Sequence, residues 1–467
     1  MALFDGFKNM LRDIIRSEMS QAQRERITVI EQNRRYRRGQ HPATMKQRMG
    51  KHDDNVTINL VGLVVNRAVS LLFGKGVEFD MPDNEDAQEY INTVWELNRG
   101  EIMLHKLGMN GAEAGTAYIK ILPDWYEKDG TLYPRLVVIL PETVSIHTDP
   151  DDMEITTGYT IEYATEALNG DVAYRKQQIY KEFDYVQDDE ENVTVTGEHW
   201  IIEDWEYSQR TGNRWQMIDS QRWDWEFAPM IHTQNLPSSD MAYGEPDITA
   251  DVRRLNDQIN YVSANIGKII RYHAHPKTLL LGMNSGQLQM ADDAPETAWF
   301  LNSPGADAKN LEMQSDLASS EIYLQTLRNA LMDVTRTVDI SSLPDKLGAL
   351  TNFGLRVLYQ DALQKLATKR ELYGEMLTEL NRRCLLLVGK EGDGGECVWP
   401  EPLPESGQEE TATLQSDLAM GIVSKQTVSK LRGYDWNDEQ ERIAEEATGE
   451  NDIGTRLLEN FMTGRNA

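Results

Sequence analysis

The stretch ITADVRRLNDQINYVSANIGKII, Ile248 to Ile270, decides how this chain is built. Ile248, Val252, Leu255, Ile259, Val262, Ile266 and Ile269 recur at spacings of 4, 3, 4, 3, 4 and 3, which lines one side of a helix with apolar groups. Downstream, Leu317, Leu324, Leu327, Leu331, Val334 and Val338 repeat the pattern in a second helix, and polar residues fill the opposite faces of both. Such helices are predicted to pack on each other, and on copies of themselves in a symmetric assembly. Between them, HPKTLLLGMNSGQLQMADDAPETAWFLNSPGADAKNLEM predicts short strands at Lys277 to Gly282, Thr297 to Leu301 and Asn310 to Met313. The result is a two-helix stalk carrying a small α/β tip.

Working outward, DISSLPDKLGALTN follows the second stalk helix as a breaker-rich loop, with Pro344 and Gly348. A long helix is then predicted from Phe353 to Val388, with Leu363, Leu366, Tyr373, Leu377, Leu380, Cys384 and Leu387 on one face. From Gly389 the chain is punctuated by Gly and Pro, then closes in two or three short helices, with 17 acidic and 6 basic residues between Glu391 and Ala467. Upstream of the stalk, Ala117 to Phe227 reads as short β-branched and aromatic runs such as AYIKIL, GYTIEY and HWIIEDWEY, an antiparallel β region. Asp184 to Glu206 holds nine acidic residues and no Lys or Arg, which predicts an acidic face. Helices are expected at Phe4 to Met19, Gln21 to Arg38, Ile58 to Phe73, Asp86 to Glu96 and Ile102 to Gly115. The fold class is α+β.

Composition narrows the function. The 467 residues carry 47 Lys+Arg against 76 Asp+Glu, a formal net charge of −29, which argues against a protein that grips nucleic acid tightly through its phosphates. With 40% hydrophobic residues there is ample material for packed cores. The one basic island lies between Arg24 and Lys51, with nine basic and two acidic residues. Its run Arg34, Arg35, Arg37 and Arg38 reads as a partner for carboxylates of the same chain or a neighbouring subunit, with DNA contact as the second reading. Cys384 and Cys397 lack the spacing of a zinc site or a disulfide framework and read as reduced thiols. The N-terminal segment reads as an amphipathic helix rather than a signal peptide. Ile58 to Val77 is long enough to span a bilayer, but Asn59, Asn66, Arg67 and Ser70 make it a buried helix ending in a Gly turn.

No catalytic constellation stands out. FGKGV at Phe73 to Val77 has neither the spacing nor the preceding strand of a phosphate-binding loop, which removes an ATPase motor. Asp149, Asp151, Asp152 and Glu154 could hold a metal in a nuclease or hydrolase, yet lack the loop Gly and distal Glu of a calcium site; a solvated turn is the simpler reading. His273 and His275 read as a helix-ending turn. A non-portal structural protein of a capsid or tail is the third alternative to the reading that follows.

The order of parts and several strings resemble the portal proteins (head–tail connectors) of tailed double-stranded DNA bacteriophages, long-tailed-phage type. The strings are RRYRRGQHP (Arg34 to Pro42), NLVGLVVNRAVSLLFGKGVEF (Asn59 to Phe79) and LPETVSIHTDPDD (Leu140 to Asp152). With them go APMIHTQNLPSSDMAYGEPDITADVRRLNDQIN (Ala228 to Asn260), TNFGLRVLYQDALQKLATKRELYGEML (Thr351 to Leu377) and GIVSKQTVSKLRGYDWNDEQERIAEE (Gly421 to Glu446). Phe353-Gly354 stands where the family commonly has Ser-Gly.

The resemblance implies a portal fold: α/β wing, two-helix stem, small α/β clip, long kinked helix and α-helical crown. It implies a ring, usually of twelve copies, at one capsid vertex of the virion, assembled in the host cytoplasm, with double-stranded DNA threading its centre during packaging and ejection. It implies no enzyme activity, no cofactor and no membrane. The wing would span 1–244, the first stem helix 245–271, the clip 272–315, the second stem helix 316–339, the tunnel loop 340–352, the long helix 353–388, and the crown and tail 389–467. Ser341, Ser342, Asp345, Lys346 and Asn352 would face DNA from the tunnel loop, Lys346 being its one basic residue. Asn284, Gln287, Gln289, Asp292, Asp293 and Glu296 would dock the terminase large subunit and then a head-completion adaptor. Major capsid and scaffolding proteins would be further partners. Stem packing would rest on Ile248, Val252, Leu255, Ile259, Val262, Leu324, Leu327, Leu331 and Val334.

Overall fold

A computed structural model describes residues 20–45, 53–166, 172–187, 193–208, 211–212, 214–239, 242–274, 277–281, 307–311, 317–339, 352–403, 407–431, 436, 439–440 and 442–443. Two compact units emerge, 1–348 with 357–402, and 349–356 with 403–467. The expected first helix, Phe4 to Met19, lies outside the described residues.

The larger unit opens with α1 (Gln21–Arg37), started by a capping box in which Ser20 Oγ accepts from Gln23 N and Gln23 accepts from Ser20 N. Next come α2 (Leu60–Phe73), β1 (Glu78–Asp80), α3 (Glu85–Leu97) and α4 (Gly100–Ala114). Asn59 caps α2 by accepting from Gly62 N, while its amide donates to Arg37 O at 2.8 Å, so one side chain ties the end of α1 to the start of α2. α4 ends at Gly115, in the left-handed region at φ 82°, where any Cβ would run into the Gly244 carbonyl.

The β region divides into two sheets. The strands are β2 (Thr116–Lys128), β3 (Thr131–Ile139), β4 (Val144–Thr148), β5 (Thr156–Glu166), β6 (Val172–Gln187), β7 (Val193–Tyr207), β8 (Trp215–Trp223) and β9 (Met230–Gln234). β2 is the centre of a three-stranded antiparallel sheet, β3-β2-β9, and β4 to β8 form a five-stranded antiparallel meander. Some carboxylates of the acidic stretch Asp184 to Glu206 meet cations of the neighbouring strand. Arg175 pairs with Glu206 at 2.8 Å and Lys181 with Glu198 at 2.5 Å, so basic residues of β6, just outside that window, neutralise carboxylates of β7 across the strands.

The stalk follows: α5 (Ala250–Ala274), β10 (Lys277–Leu281), β11 (Asp307–Leu311) and α6 (Leu317–Thr335). β10 and β11 pair antiparallel, and the middle predicted strand, Thr297 to Leu301, lies outside the described residues. The long helix comes in two pieces, α7 (Asn352–Leu358) and α8 (Gln360–Leu387), separated by Tyr359. β12 (Glu396–Val398) returns to pair with β1. The smaller unit contains α9 (Gly407–Met420) and α10 (Lys425–Leu431).

A main apolar core lies in the larger unit. Ile91, Val94, Leu107, Tyr118, Ile119 and Met230 meet Tyr373, Leu377, Leu380 and Cys384 from the apolar face of α8. Polar anchors fix the helix: Trp95 Nε1 donates to Asn381 Oδ1 at 2.8 Å, and Arg383 Nη1 donates to the carbonyls of Ala228 and Met230 at 3.1 and 2.9 Å. No described helix is long and apolar enough to cross a membrane.

Candidate functional site

The hairpin of α5 and α6 and its seat against α1 and α2 are where the sequence pattern and the geometry meet. Ile259 and Leu331 are fully buried against each other's helices together with Leu60, Val64 and Met332, and Leu255, Leu324 and Leu327 pack at the edge of this cluster. Val252 joins Ile248 in a second cluster with Val61, Val65, Val69 and Ala112. Val262 is half-buried. Two seam positions behave differently from the heptad reading. Ile248 precedes the helix, in a bend just after Pro246 where Asp247 N donates to Ala112 O at 2.9 Å, and is fully buried there. Val334 is 50% exposed, since the last turn of α6 directs Met332 inward instead.

A polar side of α5 locks it to α1 and α2. Asn256, fully buried, accepts from the first amides of α2, Leu60 N at 3.0 Å and Val61 N at 3.3 Å, and donates to Ile58 O. Asn260 Oδ1 accepts from Ile58 N at 2.8 Å, and Tyr36 OH donates to Asp257 Oδ2 at 2.6 Å. A side chain of α5 therefore supplies N-cap chemistry to α2, 196 residues away.

Just ahead of α5 sits a buried ion cluster that the sequence does not announce. The Asp247 carboxylate, with no exposure, lies 2.7 Å from Lys365 Nζ and 2.5 Å from Lys369 Nζ, both on α8. Burial opposes ionisation of Asp247, but the two ammonium groups outweigh it and bring its pKa down to about 2. Burial lowers the pKa of Lys369, with Asp247 opposing. A signal was present: Lys369 falls within the apolar stripe Leu366, Tyr373 and Leu377, where a charge needs a partner. The partner, 122 residues earlier, was not readable.

The C-terminal end of α6 is held by cations. Arg67 Nη1 donates to Val338 O at 2.7 Å, Lys365 Nζ donates to Thr335 O at 3.3 Å, and Arg328 forks onto Asp339 at 2.7 and 3.1 Å. Arg336, exposed at φ 54°, takes the left-handed position that terminates the helix. An apolar groove of about 340 Å³ runs between α2, this terminus and α8, lined by Leu71, Val338, Tyr359 and Leu366 among others.

The basic island is divided. Arg34 binds Glu113 at 2.9 Å and also Glu142, and Arg37 binds Glu113, a carboxylate only 2% exposed. These two arginines are engaged by carboxylates of their own chain. Arg35 and Arg38 are exposed. Asp149, Asp151, Asp152 and Glu154 form an exposed turn between β4 and β5, in which Asp149 Oδ1 accepts from Asp151 N at 2.8 Å and Asp152 Oδ1 from Glu154 N at 2.9 Å. Among the described residues no group of three His, Cys, Asp or Glu side chains is placed to hold a metal. His273 is in the last turn of α5; His275 lies outside the described residues. Ser341, Ser342, Asp345 and Lys346, and the tip residues Asn284, Gln287, Gln289, Asp292, Asp293 and Glu296, also lie outside them, while Asn352 is the first residue of α7.

The family model "Phage portal protein, SPP1 Gp6-like" matches residues 17–452. The chain belongs to this family. No curated protein matches it. The portal protein is a structural, non-enzymatic component of the capsid portal vertex of the virion, and it forms an oligomeric ring through which DNA passes. That sets aside the metal-dependent nuclease suggested by the Asp149–Glu154 turn. It also gives the hairpin of α5 and α6 a context in which uncovered helix faces have neighbours.

Proposed function

We propose that residues 1–244 form the wing of the portal, 245–271 and 316–339 its stem helices, 272–315 the clip, 340–352 the tunnel loop, 353–388 the long helix, and 389–467 the crown and tail, in a ring of twelve copies. The observation that carries this reading is the antiparallel pair of α5 and α6, whose heptad seam closes on itself and on α2 while a paired β10–β11 lies at its far end. A hairpin seated in the body at one end and tipped by a small sheet at the other suits a stem with its clip.

In this reading the clip residues Asn284 to Glu296 dock the terminase large subunit during packaging and a head-completion adaptor afterwards. Major capsid and scaffolding proteins meet the wing. Ser341, Ser342, Asp345, Lys346 and Asn352 face the duplex. A chain of net charge −29 forms few strong phosphate contacts, so the barrier to sliding stays low, and Lys346 touches the backbone transiently. Shortening Met283 to Asp293 is expected to spare ring assembly and abolish terminase binding. Normal terminase binding by that variant would refute the clip assignment.

A further inference from the structure

Two exposed stripes run along the stem hairpin on the sides facing away from its own seam. On α5, Arg254, Gln258, Tyr261, Asn265 and Lys268 recur at spacings of 4, 3, 4 and 3; Arg254, Tyr261 and Lys268 are exposed, and Gln258 and Asn265 are half-buried. On α6, Ile322, Thr326, Asn329 and Asp333 recur at 4, 3 and 4, all exposed, with Glu321 beside them. Ile322 is 68% exposed and Tyr261 44%, large apolar surface for a helix face with no cover in the single chain. The stripes also carry opposite charge. On α5 the stripe carries the cations Arg254 and Lys268, with Asp251 exposed one step before it; on α6 it carries Asp333, with Glu321 beside it and Arg336 exposed one step beyond. None of Arg254, Lys268, Glu321 and Asp333 forms an ion pair among the described residues.

We propose that these two stripes are the stem interface of the ring, the α5 stripe of one copy against the α6 stripe of the next, with Arg254 meeting Asp333 and Lys268 meeting Glu321 and covering Ile322. The inference rests on the assignment of α5 and α6 as the stem. A ring requires a heterologous interface, two different patches that fit each other, and like stripes laid together would repel. Rotation about the ring axis leaves every height along that axis unchanged, so groups that meet must already stand level in one chain. They do for a hairpin running along the axis. The β10–β11 pairing sets Lys277 opposite Leu311, and Ile259 shares a cluster with Leu331. Counting along both helices then puts Lys268 level with Ile322 and Tyr323, and Arg254 about one helical turn above Asp333, roughly 5 Å and within reach of an arginine. Tyr261 comes level with Asn329 and Ala330, in the middle.

The test uses the full-length chain in four forms: unaltered, Arg254→Glu, Asp333→Arg, and the double variant, compared by native mass spectrometry at one protein and salt concentration. The expected result is rings for the unaltered chain, loss of rings in each single reversal, and recovery in the double. Because these side chains are exposed, the circular dichroism spectrum of all four should coincide. Single variants that assemble as well as the unaltered chain, or a double variant no better than the singles, overturn the pairing. An unaltered chain that stays monomeric would instead overturn the stem assignment beneath it. A Tyr261→Cys/Asn329→Cys chain should give a ladder of cross-linked oligomers on oxidation, and its absence from formed rings also counts against the interface.

Discussion

Replacing Asp247 by Asn removes the carboxylate that two lysines share and leaves all other contacts in place. The side chains concerned are 0% exposed at Asp247, 4% at Lys369 and 14% at Lys365, so water does little to replace the lost charge. Two bounds frame the cost. The fall of the Asp247 pKa from 3.8 to about 2 corresponds to roughly 2 kcal/mol of pairing, at about 1.4 kcal/mol per unit. Stranding a buried charge costs about 3–5 kcal/mol, and deprotonation of Lys369 sets the ceiling, since burial has already lowered its pKa. Asp247→Asn is therefore expected to lose ~2–5 kcal/mol in urea unfolding followed by tryptophan fluorescence, at fixed protein concentration because assembly adds to stability. The pH dependence follows from the same pairing. A carboxyl with a depressed folded pKa contributes in full above its unfolded value, near 4, and the contribution disappears as pH falls towards 2. The unaltered chain should lose stability over that window more steeply than Asp247→Asn. A loss below ~1 kcal/mol at neutral pH, with parallel acid profiles, would refute the reasoning.

Two further outcomes test the core. A methyl group at Gly111 would fall 1.9 Å from the Tyr373 hydroxyl, so Gly111→Ala should cost about 1–3 kcal/mol, and most of that should return when Tyr373→Phe removes the oxygen, as a double-mutant cycle in urea would show. Burial pushes the Cys384 thiol up to about 12, so it should resist iodoacetamide at pH 8 in the folded chain and react once urea unfolds it, as peptide mass mapping reads.

The two packed helices α5 and α6 were legible because their signal is local: a period of 3.5 residues needs no knowledge of the partner. The same rule overreached at its ends. Ile248 kept the rhythm and is buried, but it lies in a bend before α5, where the amide of Asp247 donates to Ala112, and Val334 kept it while Met332 took the buried place. The division of the β region into β3-β2-β9 and the β4–β8 meander was not legible, since strand alternation gives faces but not neighbours. Nor were the pairings Asp247–Lys369 and Glu113–Arg34, whose partners lie 122 and 79 residues apart and meet only through topology. The basic island shows the limit of charge counting. Four clustered arginines read as one patch, yet the fold turns Arg34 and Arg37 onto Glu113 and leaves Arg35 and Arg38 outside. The net charge of −29 is consistent with a conduit that surrounds DNA without gripping it.

Electron microscopy of the purified chain at low and moderate salt tests the central claim most directly. End-on views should show closed rings of about twelve copies around a central hole wide enough for a duplex; particles that remain monomeric, or rings with no open centre, would contradict it.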